Sequence, residues 1–306
     1  MNYIHLGGNK ELNVSQVALG CMRMNSLDKT QATSLLETAV ESGINFFDHA
    51  DIYGGGDCET LFGHALNGST INREDIFIQS KCGIREGQFD FSKDHILTAV
   101  DGILQRLDVD YLDVLALHRP DTLVEPEEVA EAFDRLQRSG KVRHFGVSNQ
   151  NPMQIELLKK YVEQPLLVNQ LQFGIMATGM VDQGFHVNMR DEASINRDGS
   201  VLDYSRLTDM TIQAWSPYQY GFFDGVFLGN EKFPELNQII DEMAETYGVT
   251  NTGIATAWIS RHPANMQTIL GTMKEHRIQE VATASDIRLT RDEWYRIYRA
   301  AGNILP

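Results

Sequence analysis

Four residues of this chain combine into one chemistry: Asp48, Tyr53, Lys81 and His118. A phenol titrates near pH 10 in water, so at neutral pH it is a weak acid toward a carbonyl oxygen. An ammonium beside it stabilises the phenolate and lowers that value, at about 1.4 kcal/mol per unit. A carboxylate paired with the ammonium keeps it charged and oriented. An imidazole can polarise the carbonyl by hydrogen bonding to its oxygen. Together the four make a proton donor suited to carbonyl reduction. The set holds no hydride, which a cofactor must supply.

Each residue alone has a plainer reading. His118 fits a satisfied polar residue after a strand, Asp48 a turn former, and Tyr53 a core or rim aromatic. Their positions in the predicted elements decide between the readings. The apolar run 44–48 reads as a strand ending at Asp48, and Gly54-Gly55-Gly56 forces a loop after Tyr53. A strand over 76–80 ends at Lys81, and one over 111–117 ends at His118. Further strands are predicted at 17–20, 142–147, 166–170, 211–214 and 268–270, with helices between them near 29–42, 59–66, 92–107 and 126–138, from about 152, and near 200–207, 235–247 and 252–261. A helix from about 274 and an extra one over 291–300 close the chain. Residues 3–6 and 12–14 read as a small β element, a lid on a barrel floor. Eight strand–helix units predict an α/β fold, a (β/α)8 TIM barrel, over residues 1–306 as one domain. The four chemical residues would then share the catalytic end of that barrel. No GxGxxG follows the first strand, which argues against an open dinucleotide-binding sheet.

The segments Phe47-Asp48-His49-Ala50-Asp51-Ile52-Tyr53-Gly54, Lys81 at a strand end, Leu117-His118-Arg119-Pro120-Asp121 and Gly146-Val147-Ser148-Asn149 resemble the aldo-keto reductase family, in its bacterial oxidoreductase branch. The match runs from about Gly20 to the last helix, in the family's order. The resemblance implies a barrel that binds NADP(H) without a Rossmann domain. Tyr53 would be the general acid, Lys81 and Asp48 its tuning pair, and His118 the residue that orients substrate. Ser148, Asn149 and Gln170 match the side chains that hold the nicotinamide carboxamide, and Trp215 the aromatic that stacks on the ring, usually Tyr in the family. Gly20, Ser216 and Pro217 would line the same site, with the loop after Pro217 folding over the pyrophosphate. The stretch from Gly271 through Thr272, Lys274 and Arg277 to Glu280 resembles the adenine and 2'-phosphate site. There a helix N-terminus and two cations suit a phosphate. Thr272 and Glu275 also fit a plain capping box. The family often has Glu-Asn after the arginine, whereas here Val281 follows Glu280.

Composition sets the remaining expectations. The chain has 306 residues, 42% of them hydrophobic, enough for a large core. A net charge of -16 argues against nucleic acid or an anionic membrane as partner. No apolar run is long enough for a membrane span, and the N-terminus lacks the pattern of a signal peptide. Cys21, Cys58 and Cys82 show no CxxC spacing, so reduced thiols and a cytoplasmic location are expected. No metal is expected, because no HxH or HxxxH pair falls on a strand end. The pocket is expected from residues 22–24, 84–90, 171–199 and 215–232. Met176, Met180 and Met189 lie on an expected lid, either lining the pocket or packing in a core. Arg85, Arg119 and Arg143 read as solvated surface or as contacts to an acidic substrate. The expected activity is NADPH-dependent reduction of a small-molecule aldehyde or ketone. Two alternatives stay open: a nucleotide-sensing auxiliary protein on the same barrel, and a Schiff-base lyase using Lys81.

Overall fold

The computed structural model describes Met1–Pro306. Eight parallel strands close into a barrel with helices between them. In order they are Val17–Gly20, Phe46–Asp48, Phe77–Cys82, Leu112–Leu117, Val142–Ser148, Leu166–Gln172, Thr211–Trp215 and Met266–Leu270. Each pairs with its neighbours in sequence, and the eighth closes on the first through Thr268–Val17, Ile269–Ala18 and Leu270–Leu19. The (β/α)8 TIM barrel expected from the alternation is therefore the fold. Burial on both faces explains why strands such as Leu112–Leu117 are nearly continuous apolar runs.

The helices follow local chemistry. Lys29–Glu41 opens with a capping box in which Asp28 accepts from the Gln31 N–H and the Gln31 side chain accepts from the Asp28 N–H. Lys93–Leu107 is capped by Ser92, and Pro126–Arg138 starts on a proline whose missing N–H costs the first turn nothing. The extra helix occupies Arg291–Ala300. It is locked to the barrel by two stacked indoles, Trp258 and Trp294, with centroids 4.6 Å apart. Each indole N–H donates to the other residue's carbonyl, at 3.1 and 3.0 Å.

The N-terminal strands Tyr3–His5 and Asn13–Ser15 form a hairpin that plugs the barrel floor. Leu6, Leu12 and Val14 pack there against Phe46, Val114, Leu167 and Ile269. Gly7 sits at φ 58°, and a Cβ on it would lie 2.7 Å from Leu167 Cβ, so this closure requires glycine.

The barrel interior departs from the usual filling of branched aliphatics. Gln79, Gln170, Gln213 and Gln267, all buried, project into it. Gln267 Nε2 donates to the Ser15 carbonyl at the floor, and Gln213 Nε2 donates to Gln267 Oε1. Gln79 Nε2 reaches across from the third strand to Gln213 Oε1 at 2.8 Å. A polar ladder thus runs from floor to mouth. Strand alternation marks these positions as inward-facing but does not reveal that they bond to one another.

The segment after the sixth strand is the main departure from expectation. Residues 171–199 hold a short helix, Gly179–Phe185, and a single turn at Glu192–Ser194. Ile175, Met180 and Val181 are buried in the core around Trp258. The segment caps the barrel's flank and contributes no residue to the cleft described below. Met180 accordingly packs in a core, and the expected lid is not there. The irregular stretch 215–233 carries a small hairpin, Gln219–Tyr220 with Gly225–Val226. A second, unexpected hairpin pairs Ile84–Arg85 with Gln88–Phe89. No helix is long and apolar enough to cross a membrane.

Replacing Trp258 by Ala removes the stack and strands the Trp294 carbonyl, which accepts from the Trp258 indole N–H. It should lower unfolding free energy by about 3–5 kcal/mol in urea titrations. A loss below about 1 kcal/mol would show that the final helix is not coupled to the barrel through this pair.

Candidate active site

The strand ends bring the four residues together. Lys81 Nζ donates to Asp48 Oδ1 at 2.7 Å and to the His49 carbonyl at 2.6 Å. Both side chains of the pair are buried, at 0% and 3% exposure. Gln79 Nε2 and Gln170 Nε2 donate to the same Oδ1, at 2.7 and 2.9 Å. Parallel pairing continues past the end of the second strand, with the His49 N–H on the Gln79 carbonyl and the Asp51 N–H on the Lys81 carbonyl. This holds the loop down until the turn Tyr53–Gly56 delivers the phenol to the mouth. Lys81 Nζ lies 5.2 Å from the Tyr53 ring centroid, and the Tyr53 and His118 rings meet edge-on at 6.0 Å. The His118 N–H donates to the Cys82 carbonyl, extending the third-to-fourth strand pairing.

Burial sets the electrostatics. It opposes the Lys81 ammonium, but Asp48 and then Tyr53 outweigh it, and the Lys81 pKa ends above its ordinary value. Burial also pushes the Tyr53 phenol up; Lys81 pulls it down, Asp48 pushes it up, and the net direction is upward. The expectation that the ammonium leaves a lowered phenol is therefore corrected for this site: desolvation of the phenolate exceeds the help from Lys81. His118 is held down to about 2, by burial first and then by Lys81 and Arg119. It is a neutral imidazole at working pH. Behind the pair sits a second buried group. Glu59 accepts from Ser80 Oγ at 2.6 Å and from Arg106 Nε at 2.8 Å. Asp51 is pushed up to about 7 by burial and by Glu59, and its Oδ1 has no partner. His49 is buried edge-on against Phe62 with both ring nitrogens unpartnered, and burial lowers it to about 3. No three His, Cys, Asp or Glu side chains are arranged to hold a metal ion.

A cleft of about 720 Å³ opens above the four residues. It runs from Tyr53 and His118 past Ser148, Asn149, Gln170 and Trp215 to Gly271, Thr272, Lys274 and Arg277. The sequence model of the Aldo/keto reductase family matches residues 16–301. The chain belongs to this family. Among its relatives, an uncharacterized oxidoreductase of Bacillus subtilis, YcsN, is 35% identical over 95% of each chain. A 6-dehydroglucose reductase of Novosphingobium aromaticivorans is 33% identical over 98% of this chain and 96% of its own. The fold is shared with an aldo-keto reductase from Klebsiella pneumoniae, solved in complex with NADPH, at a TM-score of 0.80 and 22% identity over 100% of this chain and 96% of that one.

In this aldo-keto reductase the expected cofactor residues fall unevenly. Ser148 Oγ donates to the Gln170 carbonyl, and Asn149 Nδ2 to Ser148 Oγ. Trp215 Nε1 donates to Asn149 Oδ1 at 3.2 Å, which fixes the indole, and Phe223 of the small hairpin stacks on that indole with centroids 6.0 Å apart. Gly20, Ser216 and Pro217 line the cleft. A Cβ on Gly20 would lie 2.8 Å from Ile269 Cγ2, so packing of the first strand on the eighth already demands glycine there. The capping box at Thr272 and Glu275 does not form. Thr272 Oγ1 accepts from the Lys274 N–H, and the helix Glu275–Thr283 begins without a side-chain cap. Val281 lines the cleft and Glu280 does not, because the helix turns Glu280 away. Met22, Arg23 and Ile84 line it as part of the expected loops, while the rest of 84–90 stays outside. Tyr218 lines it within the expected stretch 215–232, whereas sequence reasoning missed Asn251 and Thr252 on the wall; no motif marks them.

The raised Asp51 carboxyl gives a signed pH effect. Its native value near 7 lies above the ordinary 3.8, so the native state binds a proton that the unfolded chain has lost between those values. Stability from this group is present at low pH and disappears as pH rises through 7. Asp51→Asn should flatten that decline. Its stability relative to the parent should improve by about 1–3 kcal/mol between about pH 5 and pH 8, followed by urea midpoints. A difference independent of pH would refute the assignment.

Proposed function

We propose that this aldo-keto reductase reduces an aldehyde or ketone to an alcohol with NADPH as hydride donor and Tyr53 as general acid. The observation that carries the reading is the buried Lys81–Asp48 pair set beside Tyr53 and His118 at the mouth of the cleft. The residues fit a dinucleotide. An uncapped helix start flanked by Lys274 and Arg277 offers free N–H groups and positive charge to a phosphate. Ser148, Asn149 and Gln170 would hold the carboxamide, Trp215 would stack on the nicotinamide, and Gly20, Ser216, Pro217, Gly271 and Thr272 would line its path. When bound, the cofactor supplies the hydride.

The chain's own residues supply the rest. His118 is neutral, so it orients and polarises the substrate oxygen by hydrogen bonding and does not protonate it. Tyr53 O–H is the proton source, and its raised pKa keeps the proton in place through neutral pH. The phenolate left behind faces the Lys81 ammonium, which Asp48 keeps charged. The same pairing opposes Schiff-base chemistry, because the ammonium is stabilised against losing its proton. Ile52, Trp215 and Phe223 give the mouth an apolar wall that limits water at the transfer site.

Tyr53→Phe should reduce carbonyl-dependent NADPH oxidation by at least about a thousandfold while NADPH still binds, followed by absorbance loss and by fluorescence titration. Retained turnover would sink the acid assignment. Slow oxidation that ignores every carbonyl offered would favour the auxiliary-protein alternative. Lys274 and Arg277 are exposed, so their charge is screened. Changing both to Ala should weaken NADPH about tenfold and leave NADH within about threefold. Equal weakening of both cofactors would refute the 2'-phosphate site.

A further inference from the structure

We infer that Arg119 is the specificity residue of this site and selects carbonyl substrates that carry a carboxylate a few carbons from the reacting carbon. The inference rests on the carbonyl-reducing reading above and goes beyond it by naming the substrate class.

Three observations support it. The first is that Arg119 is uncommitted. Of the three arginines that could meet an acid, Arg85 pairs with Asp90 at 2.6 Å and Arg143 with Asp113 at 3.4 Å. Arg119 pairs with no acid and makes no hydrogen bond within the protein, although it is half-buried. The nearest acid along the chain, Asp121, is occupied elsewhere: its Oδ2 accepts from the Phe91 N–H and its Oδ1 from the Leu123 N–H. A guanidinium taken partly out of water without a counter-ion is costly unless something supplies one.

The second is location. The cleft wall carries four cations, Arg23, Arg119, Lys274 and Arg277, against one acid, Asp48, which Lys81 already neutralises. Three of the four belong to the phosphate end. Arg23 Nη1 donates to the Gly271 carbonyl at 3.1 Å, and Lys274 and Arg277 flank the helix start beyond it. Arg119 stands at the other end, 5.8 Å from the Trp215 ring and next in sequence to His118. The cofactor's phosphates therefore do not account for it. Its charge is felt at the reaction centre, since it helps hold His118 neutral.

The third is geometry of recognition. A guanidinium presents a planar fork that matches a carboxylate through two parallel N–H···O bonds. Packing over Trp215 limits the orientations of that fork. Because Arg119 adjoins His118, a substrate whose carbonyl oxygen lies between Tyr53 and His118 reaches the fork across a short spacer. In a chain of net charge -16 the cleft nonetheless offers an anion a net positive wall.

The test compares glyoxylate, succinic semialdehyde and para-formylbenzoate with their methyl esters, which keep the aldehyde and remove the charge, using NADPH oxidation. For the spacer that fits best, kcat/KM of the acid should exceed that of the ester by about tenfold to a hundredfold. Arg119→Met should abolish that ratio, mainly through KM, and Arg119→Lys should restore part of it. Calorimetric titration of succinate into the protein with NADP+ gives a readout apart from turnover. Binding should weaken at least about tenfold in Arg119→Met. Esters turned over as well as acids by the parent, or acid and ester losing equally in Arg119→Met, would overturn the inference and leave carbonyl reduction standing. No turnover of any acid or ester would overturn the carbonyl-reducing reading and the inference with it.

Discussion

One carboxylate oxygen organises the centre of this protein. Asp48 Oδ1 accepts from Lys81, Gln79 and Gln170 at once. Lys81 and Gln79 come from the third strand and Gln170 from the sixth, so the oxygen ties the second, third and sixth strands together at the mouth. A lone buried carboxylate would be prohibitively costly, and a lone buried ammonium equally so. Paired and hydrogen-bonded, the two stay ionised in a dry place, where an ammonium acts most strongly on a neighbouring phenol. The proposed chemistry is thus a consequence of where the barrel can tolerate charge.

The same constraint orders the surroundings. Direct neighbours of the pair are neutral: His118 and His49 are held uncharged by burial and by Lys81. The acids set further back, Asp51 and Glu59, are raised by burial and offset by Arg106. Positive charge is kept at the cleft wall, at opposite ends, while the chain as a whole is strongly acidic. The two ends of the cleft thereby differ in what they can hold, although both carry arginine.

The barrel was legible because eight strand–helix alternations leave few other arrangements, and the strand-end residues were legible because that fold fixes which end they share. Asp48 and Lys81 could be paired on paper, since neighbouring parallel strands end side by side. Less legible was everything that depends on balance or on loop path. The net upward displacement of the Tyr53 phenol reflects burial, which the residue types do not encode. The 171–199 segment resembled a lid by its glycines and polar residues, yet Phe173, Ile175, Met180 and Val181 found the core at Trp258. Arg119 looked like surface because its lack of an acidic partner is a fact of three dimensions. The glutamine ladder escaped notice because each glutamine was judged alone, and only the closed barrel brings the third strand opposite the seventh.

That ladder constrains how the barrel can change. The Gln79 and Gln170 amide groups donate both to Asp48 Oδ1 at the mouth and to Gln213 Oε1 below, and from there each N–H leads downward, Gln213 to Gln267 and Gln267 to the Ser15 carbonyl. Substituting one member by an aliphatic strands the partner on either side. Reversing one amide sets oxygen against oxygen. Single steps away from this interior are therefore each unfavourable, whereas a wholesale exchange for a packed apolar layer need not be. The polar axis is coupled end to end, so the floor hairpin and the mouth are parts of one linked unit.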